Sequence, residues 1–241
     1  MSATLEKVIP NHLETINKAL CVDTQTEAIV IVGSGPVGMQ LANELALRKI
    51  DLPIIVYGSE PVQPYNRVRL SDYLAGELNR DALAIEECSS LSTKIEYRYN
   101  CAVEWIDKNA KTITDASGRV QVYSKLILAT GSTPFIPKFG NRHYKGVYTF
   151  RTLGEADELM SRKIRTRHTV VIGGGLLGLE TARAMKRYHT EITIIEHNKW
   201  LMMKQLDEDG GKQLASFVND QCIRVITDDS VFAFTGNKRV E

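Results

Sequence analysis

Apolar positions come in short continuous runs rather than strict alternation. Ala28–Val32 (AIVIV), Ile54–Tyr57, Leu126–Ala129, Val170–Ile172 and Ile192–Ile195 are rich in Val and Ile. Runs of this length and type predict strands buried on both faces, as in a parallel sheet. Between them lie stretches with helical spacing, predicting helices over 39–48, 154–164, 179–188 and 207–219, with a further strand at Ile223–Ile226. Thr152, with Glu155 three residues on, predicts a capping box for the second of these. From residue 94 to 123 the pattern changes to short runs, 94–99, 101–106, 112–114 and 120–123, with a Ser117-Gly118 turn. That stretch reads as a small antiparallel insertion. Residues 12–20 suggest a short amphipathic helix inside an N-terminal extension, 1–27, to which no chemistry is assigned. The last residues before Glu241 suggest a β-hairpin.

Two strand-to-helix junctions carry the same glycine spacing. Gly33, Gly35 and Gly38 follow the first strand, with Pro36 inside the loop. Gly173, Gly175 and Gly178 follow Val170–Ile172, with Leu176 in the matching place. In G-x-G-x-x-G the glycines allow a tight turn, close backbone approach to a pyrophosphate and close helix–strand packing, and the helix N-terminus favours the anion. The second copy ends its second strand at Glu196, eighteen residues after Gly178, where a carboxylate can accept from a ribose hydroxyl. The first copy has Gly58 at that place and its nearest acid at Glu60. Glu60 reaches a ribose if the strand end bends; otherwise it is a solvated loop glutamate. The copies lie 140 residues apart, from Gly33 to Gly173. One copy suggests nucleotide binding, and two suggest an enzyme that brings two dinucleotides together. The carboxylate at Glu196 predicts NADH over NADPH, although His197-Asn198-Lys199 follows it.

Composition narrows the class without naming it. With 241 residues the chain is long enough for two domains, and 43% hydrophobic with 24% charged residues is ordinary for a globular protein. A net charge of +1 gives no field for nucleic acid or an anionic membrane, and no apolar run is long enough to span a bilayer. The basic stretch 162–167 reads as a solvated turn. Cys21, Cys88, Cys101 and Cys222 show no C-x-x-C or C-x-x-x-x-C spacing, which argues against a metal site, a cluster or a redox disulfide and for a reducing, cytoplasmic setting.

Gly33–Gly38, Glu60, Pro64-Tyr65-x-Arg67-x-x-Leu70-Ser71, Ala129-Thr130-Gly131 and Gly173–Glu180 together resemble the FAD-dependent pyridine-nucleotide oxidoreductases, from about Ala28 onward. Within that family the chain is similar to the ferredoxin/rubredoxin reductase and NADH-dependent nitrite reductase branch. The resemblance implies an α/β protein of two Rossmann-like domains, FAD-binding over 28–140 and NAD-binding over 141–241, separated by a Pro/Gly linker over 137–146. It implies hydride transfer from NADH to FAD and onward transfer to a protein or metal-centre acceptor. It places Arg67 at the FAD phosphates, backbone near Val103 at the adenine, Thr130-Gly131 at the crossover between domains, and Glu180 near the nicotinamide carboxamide as the catalytic candidate. Each has a plainer reading: a basic loop for Arg67, a core valine for Val103, an exposed helix glutamate for Glu180. Asp72 departs from the lysine that follows Leu-Ser in the family's electron-transfer reductases, and the local string looks closer to the nitrite reductase branch. The family's later Gly-Asp motif and interface domain do not occur before Glu241. The expectation is therefore a fragment or a shortened homologue, the alternative function being a catalytically incompetent nucleotide-binding module.

Overall fold

The computed structural model describes residues 22–85, 95–136, 144–187, 189–236 and 240. The helix suggested over 12–20 lies outside them. The chain divides into two compact units: the first runs to Tyr65 and resumes over Ala84–Gly131, and the second combines Asn66–Leu83 with the chain from Ser132 onward. The segment 66–83 thus groups with the second unit, whereas the sequence reading put it in a continuous first domain.

The first unit is built on β1 (Val22–Val32), β2 (Ile54–Tyr57), β3 (Ile95–Arg98), β4 (Val103–Asp107), β5 (Thr112–Asp115) and β6 (Val120–Leu128). They form one sheet in the order β3-β2-β1-β6-β5-β4. β1 pairs in parallel with β2 and β6, while β4, β5 and the start of β6 form an antiparallel meander. The two runs read as separate strands around Ser124 are one strand: β6 pairs with β5 through Val120–Val122 and with β1 at Val120, Gln121, Tyr123 and Lys125–Leu128. β1 also begins earlier than expected, because Val22 and Asp23 pair with Val120 and Gln121. Alternate residues of β1 feed two cores, which explains its unbroken apolar run. Ala28, Val30 and Val32 pack with Ile55, Tyr57, Ile113 and Tyr123 on one face, and Ile29 and Ile31 pack with Met39, Ala42, Ile54 and Val56 on the other. Met39 and Ala42 come from α1 (Pro36–Leu47).

In the second unit β7 (His168–Ile172), β8 (Glu191–Ile195) and β9 (Ile223–Ile226) make a parallel sheet in that order. Its helices are α2 (Leu70–Ala75), α3 (Leu153–Lys163), α4 (Leu176–Met185) and α5 (Glu208–Asp220). Leu74, Leu159, Ala182, Met185, Ile192, Ile194 and Val218 share one core. Thr152 and Glu155 do form a capping box on α3. β7 corrects one expectation: it is an edge strand, pairing with β8 alone among the described residues, and Val170 and Ile172, on the same face of it, are 57% and 47% exposed. The hairpin expected near the end is also absent from its described part: residues 227–236 carry no strand, and Phe232 is exposed.

Candidate functional site

Both glycine loops bend from a strand end straight into a helix. Gly33 N–H donates to Tyr57 O at 2.8 Å, and Gly173 N–H donates to Ile195 O at 2.9 Å. These bonds fix the same register in both copies. Gly33 and Gly173 have φ of +118° and +111°, a region that favours glycine. α1 and α4 start immediately after Gly35 and Gly175, three residues earlier than the sequence suggested. The third glycine, Gly38 or Gly178, therefore lies within the first helical turn, where N–H groups have no intrahelical partner. Pro36, in the first helical position, has no N–H to leave unpaired. Leu176 is 60% exposed at the corresponding place.

The three glycines of each loop are not equivalent. A Cβ on Gly38 would lie 1.9 Å from Gly33 O, and one on Gly178 would lie 1.9 Å from Gly173 O. A Cβ on Gly33 would lie 2.1 Å from Ala129 O, with Thr130 N at 3.2 Å. The Ala129-Thr130-Gly131 string thus abuts the first loop, and Gly131 turns the chain at φ +69°. A Cβ on Gly35 or Gly175 would meet nothing within 4 Å, and both residues have ordinary extended backbone. The fold needs the outer glycines; the middle one opens a cradle that a side chain would fill.

The acids differ between the copies. Glu196 is buried, with Oε2 accepting from Gly174 N–H at 2.6 Å and Oε1 accepting from Asn198 N–H at 2.8 Å and Asn198 Nδ2 at 2.5 Å. Burial alone would raise its pKa; the donors of Asn198 and Gly174, with His197 nearby, outweigh burial and hold it below the usual carboxylate range. Glu60 is half-buried, and its Oε2 accepts from Tyr65 Oη at 2.7 Å. Asn100 N–H donates to Glu60 O at 3.0 Å and Cys101 N–H to Gly58 O at 2.8 Å. That ties the turn leading to Val103 to the strand end bearing the acid. Val103 itself, at the start of β4, is half-buried and packs beside the first core.

Arg67 and Glu180 belong to the second unit. Arg67 opens a 3-10 turn over Arg67–Arg69 and its Nη1 donates to Arg151 O at 3.3 Å. Glu180, half-buried in the second turn of α4, lines one groove with Arg67, Ser71, Phe150 and Arg151, and an adjoining one with Asp72 and Arg183. Among the described residues no group of three His, Cys, Asp or Glu could hold a metal ion, and no helix is long and apolar enough to cross a membrane. Cys101 and Cys222 are free thiols, and Cys21 and Cys88 lie outside the described residues.

Sequence reasoning missed Asn198 and Tyr65 as partners of the two acids. Tyr65 stood in a motif already singled out; Asn198 was seen only as part of a polar tripeptide. Also missed was a buried polar cluster behind the first loop, in which Arg98 donates to Tyr57 Oη and, at 3.2 Å, to Gln121 Oε1. Nothing local signalled it, since Arg98 looks like any polar strand residue.

Residues 27–241 match the family model described as pyridine nucleotide-disulphide oxidoreductase. The chain is 33% identical over 213 residues to the nitrite reductase [NAD(P)H] large subunit of Klebsiella oxytoca, covering 88% of this chain and 22% of that protein. It is 31% identical over 186 residues to the ferredoxin–NAD(+) reductase component of the anthranilate 1,2-dioxygenase system of Burkholderia cepacia, covering 76% of this chain and 45% of the relative. Among solved structures, the NADH:rubredoxin oxidoreductase of Clostridium acetobutylicum superposes with a TM-score of 0.75 at 29% identity, covering 85% of this chain and 53% of that one. With 215 of its 241 residues inside the family model, on a fold with two glycine loops of matching geometry, the chain belongs to the pyridine nucleotide-disulphide oxidoreductase family.

Proposed function

We propose that this chain takes electrons from NADH through FAD, with FAD at Gly33–Gly38 and NADH at Gly173–Gly178. One observation carries the reading: Gly35 and Gly175 face open space and are free of backbone constraint, so neither is explained by the fold. A pyrophosphate close to the loop backbone explains both. The cradles and the helix N-termini beside them fit the two dinucleotides, and Glu60 and Glu196 stand where a ribose would lie.

When bound, the nicotinamide supplies a hydride and the flavin accepts it and releases electrons onward. The protein binds and orients. Loop N–H groups and helix N-termini meet phosphate oxygens. Glu196, buried and ionised, accepts from a ribose hydroxyl and disfavours a 2′-phosphate there, which makes NADH the preferred donor. Glu60, braced by Tyr65, takes the equivalent role for FAD. Glu180, with Ser71 and Arg67 in its groove, offers an acceptor for the nicotinamide carboxamide. The domains are an FAD-binding and an NAD-binding one, and the final acceptor is a protein or metal-centre partner. The chain spans less than half the length of the two curated relatives described above, so partner and whole activity belong to this proposal.

Gly35→Val and Gly175→Val, made separately, test the assignment. Gly35→Val should lose flavin absorbance, whereas Gly175→Val should keep flavin and lose its bleaching by NADH. The opposite pattern refutes the assignment, and an unmutated protein that cannot be reconstituted with FAD favours the incompetent-module reading.

A further inference from the structure

Glu196 has a neighbour that the glycine-loop pattern does not require. Asn198 donates to Oε1 twice, through its backbone N–H and its Nδ2, and Gly174 N–H donates to Oε2. Asn198 is fixed in turn, its C=O accepting from Asp228 N–H at 2.9 Å. A carboxylate offers about four acceptor directions. Three are occupied here, so one remains, on Oε2. The stem of Glu196 lies close against the loop, so that a Cβ on Gly174 would lie 3.0 Å from Glu196 Cβ and 2.4 Å from Leu201 Cδ2, and glycine there is what lets the carboxylate reach the Gly174 N–H.

We propose that Asn198 is a positioning residue for dinucleotide choice, clamping the Glu196 carboxylate along the glycine loop so that it accepts a single ribose hydroxyl and cannot turn aside for a 2′-phosphate. The proposal rests on reading Gly173–Gly178 as the NADH loop. A glutamate with a mobile carboxylate discriminates weakly, because rotation relieves its repulsion of a phosphate. Rotation would leave that phosphate to the exposed His197 and Lys199 on either side of Asn198 in the chain. Held from both oxygens, the carboxylate keeps its charge at the ribose. The donors that hold it also favour its ionised form over the protonated one.

Binding, rather than turnover, is the readout. NADH and NADPH are titrated by calorimetry into the purified protein and into Asn198→Ala, Asn198→Ser, Glu196→Ala and the Glu196→Ala/Asn198→Ala double variant. Asn198→Ala removes one charge-assisted bond and leaves the backbone one, so the ratio of NADH to NADPH affinity should fall by about five- to tenfold. Asn198→Ser, whose hydroxyl can still donate, should recover part of the ratio, and it keeps the test open should the alanine variant melt below the assay temperature. In the Glu196→Ala background, removing Asn198 should change the ratio no further. An unchanged ratio in Asn198→Ala, or an equal fall with Glu196 already absent, overturns the proposal alone. If Glu196→Ala leaves the ratio at its unmutated value, or the unmutated protein does not prefer NADH, the reading of the loop fails and takes the proposal with it.

Discussion

Substituting alanine at each of the first loop's glycines should separate what the fold needs from what a ligand needs. Gly35 has φ −76° and ψ −179°, backbone that any residue adopts, and its Cβ would meet nothing within 4 Å. Alanine there restricts the unfolded chain, a gain of about 0.4–1 kcal/mol. As an N-cap it is poorer than glycine by an amount of the same order, roughly up to 1 kcal/mol. The two oppose, so ligand-free Gly35→Ala should melt within about 2–4 °C of the unmutated protein, the shift expected per kcal/mol in a chain of this size. Gly38→Ala is a different case. Its Cβ would sit 1.9 Å from Gly33 O, and that neighbour is backbone rather than the end of a flexible side chain. Overpacking of this kind costs about 1–3 kcal/mol when neighbours can give, and more where they cannot. Gly33 cannot give cheaply, being held at φ +118° with its N–H on Tyr57 O. Gly38→Ala should therefore melt well below Gly35→Ala. The assay is thermal unfolding of nucleotide-free protein followed by circular dichroism, with the FAD retained after reconstitution measured alongside. Gly35→Ala should fold normally and hold FAD poorly. Equal losses of stability at Gly35 and Gly38, or full FAD retention by Gly35→Ala, would refute the argument that the middle glycine serves a ligand.

Two further outcomes follow from the buried cluster behind the first loop. Burial, with the hydrogen bond to Asp115, pushes the Cys101 thiol up to about 11, so at pH 8 it should alkylate far more slowly than exposed Cys222; equal rates in a timed mass-spectrometric assay would contradict this. Burial would raise the pKa of Asp115, but donors from Ser117, Cys101 and Arg119 outweigh it, and its folded pKa lies below the ordinary aspartate value. Its contribution to stability is thus complete above that ordinary value and lost as pH falls through the folded one, so the melting temperature of the unmutated protein should approach that of Asp115→Asn in acid; a gap that stays constant from pH 7 down to pH 3 would refute it.

The two strand–glycine–helix junctions were legible because their determinants are local. A run such as Ala28–Val32, a positive φ at Gly33 and a helix following the glycines are properties of neighbouring residues, although that helix starts at Pro36 rather than Met39, and the same holds for the second copy. What was not legible depends on distant chain. That Asn66–Leu83 groups with the second unit follows from α2 packing Leu74 among residues of α3, α4 and β8, none of which is near it in sequence. Val170 and Ile172 share one face of β7, and their partial exposure depends on what packs over that face, of which a β-branched run says nothing. β6 was divided at Ser124, yet β1 pairs with both of its halves, with register shifts between them, and Ser124 Oγ donates to Ala28 O at 3.1 Å.

The displaced acid of the first copy has a geometric cause. Because Tyr57 and Ile195 accept the same loop hydrogen bond, Gly58 and Glu196 are true equivalents, and so are Ser34 and Gly174, which follow Gly33 and Gly173. Each junction has room for one side chain. In the second copy Glu196 has it, and a Cβ on Gly174 would collide with Leu201 and crowd Glu196. In the first copy Ser34 has it, and a Cβ on Gly58 would lie 2.3 Å from Ser34 Oγ. A side chain at position 58 would crowd Ser34, whose hydroxyl would have to turn away and whose Cβ would lie only 3.0 Å off. The acid moves two residues along, beyond the strand end, and there it gains Tyr65 as a donor in place of the loop N–H that Glu196 uses. The two loops thus arrive at different acids by exchanging which side of the junction carries the side chain. One carboxylate is held against its glycine loop and the other outside it, so that two copies of one motif present different acceptors at their strand ends.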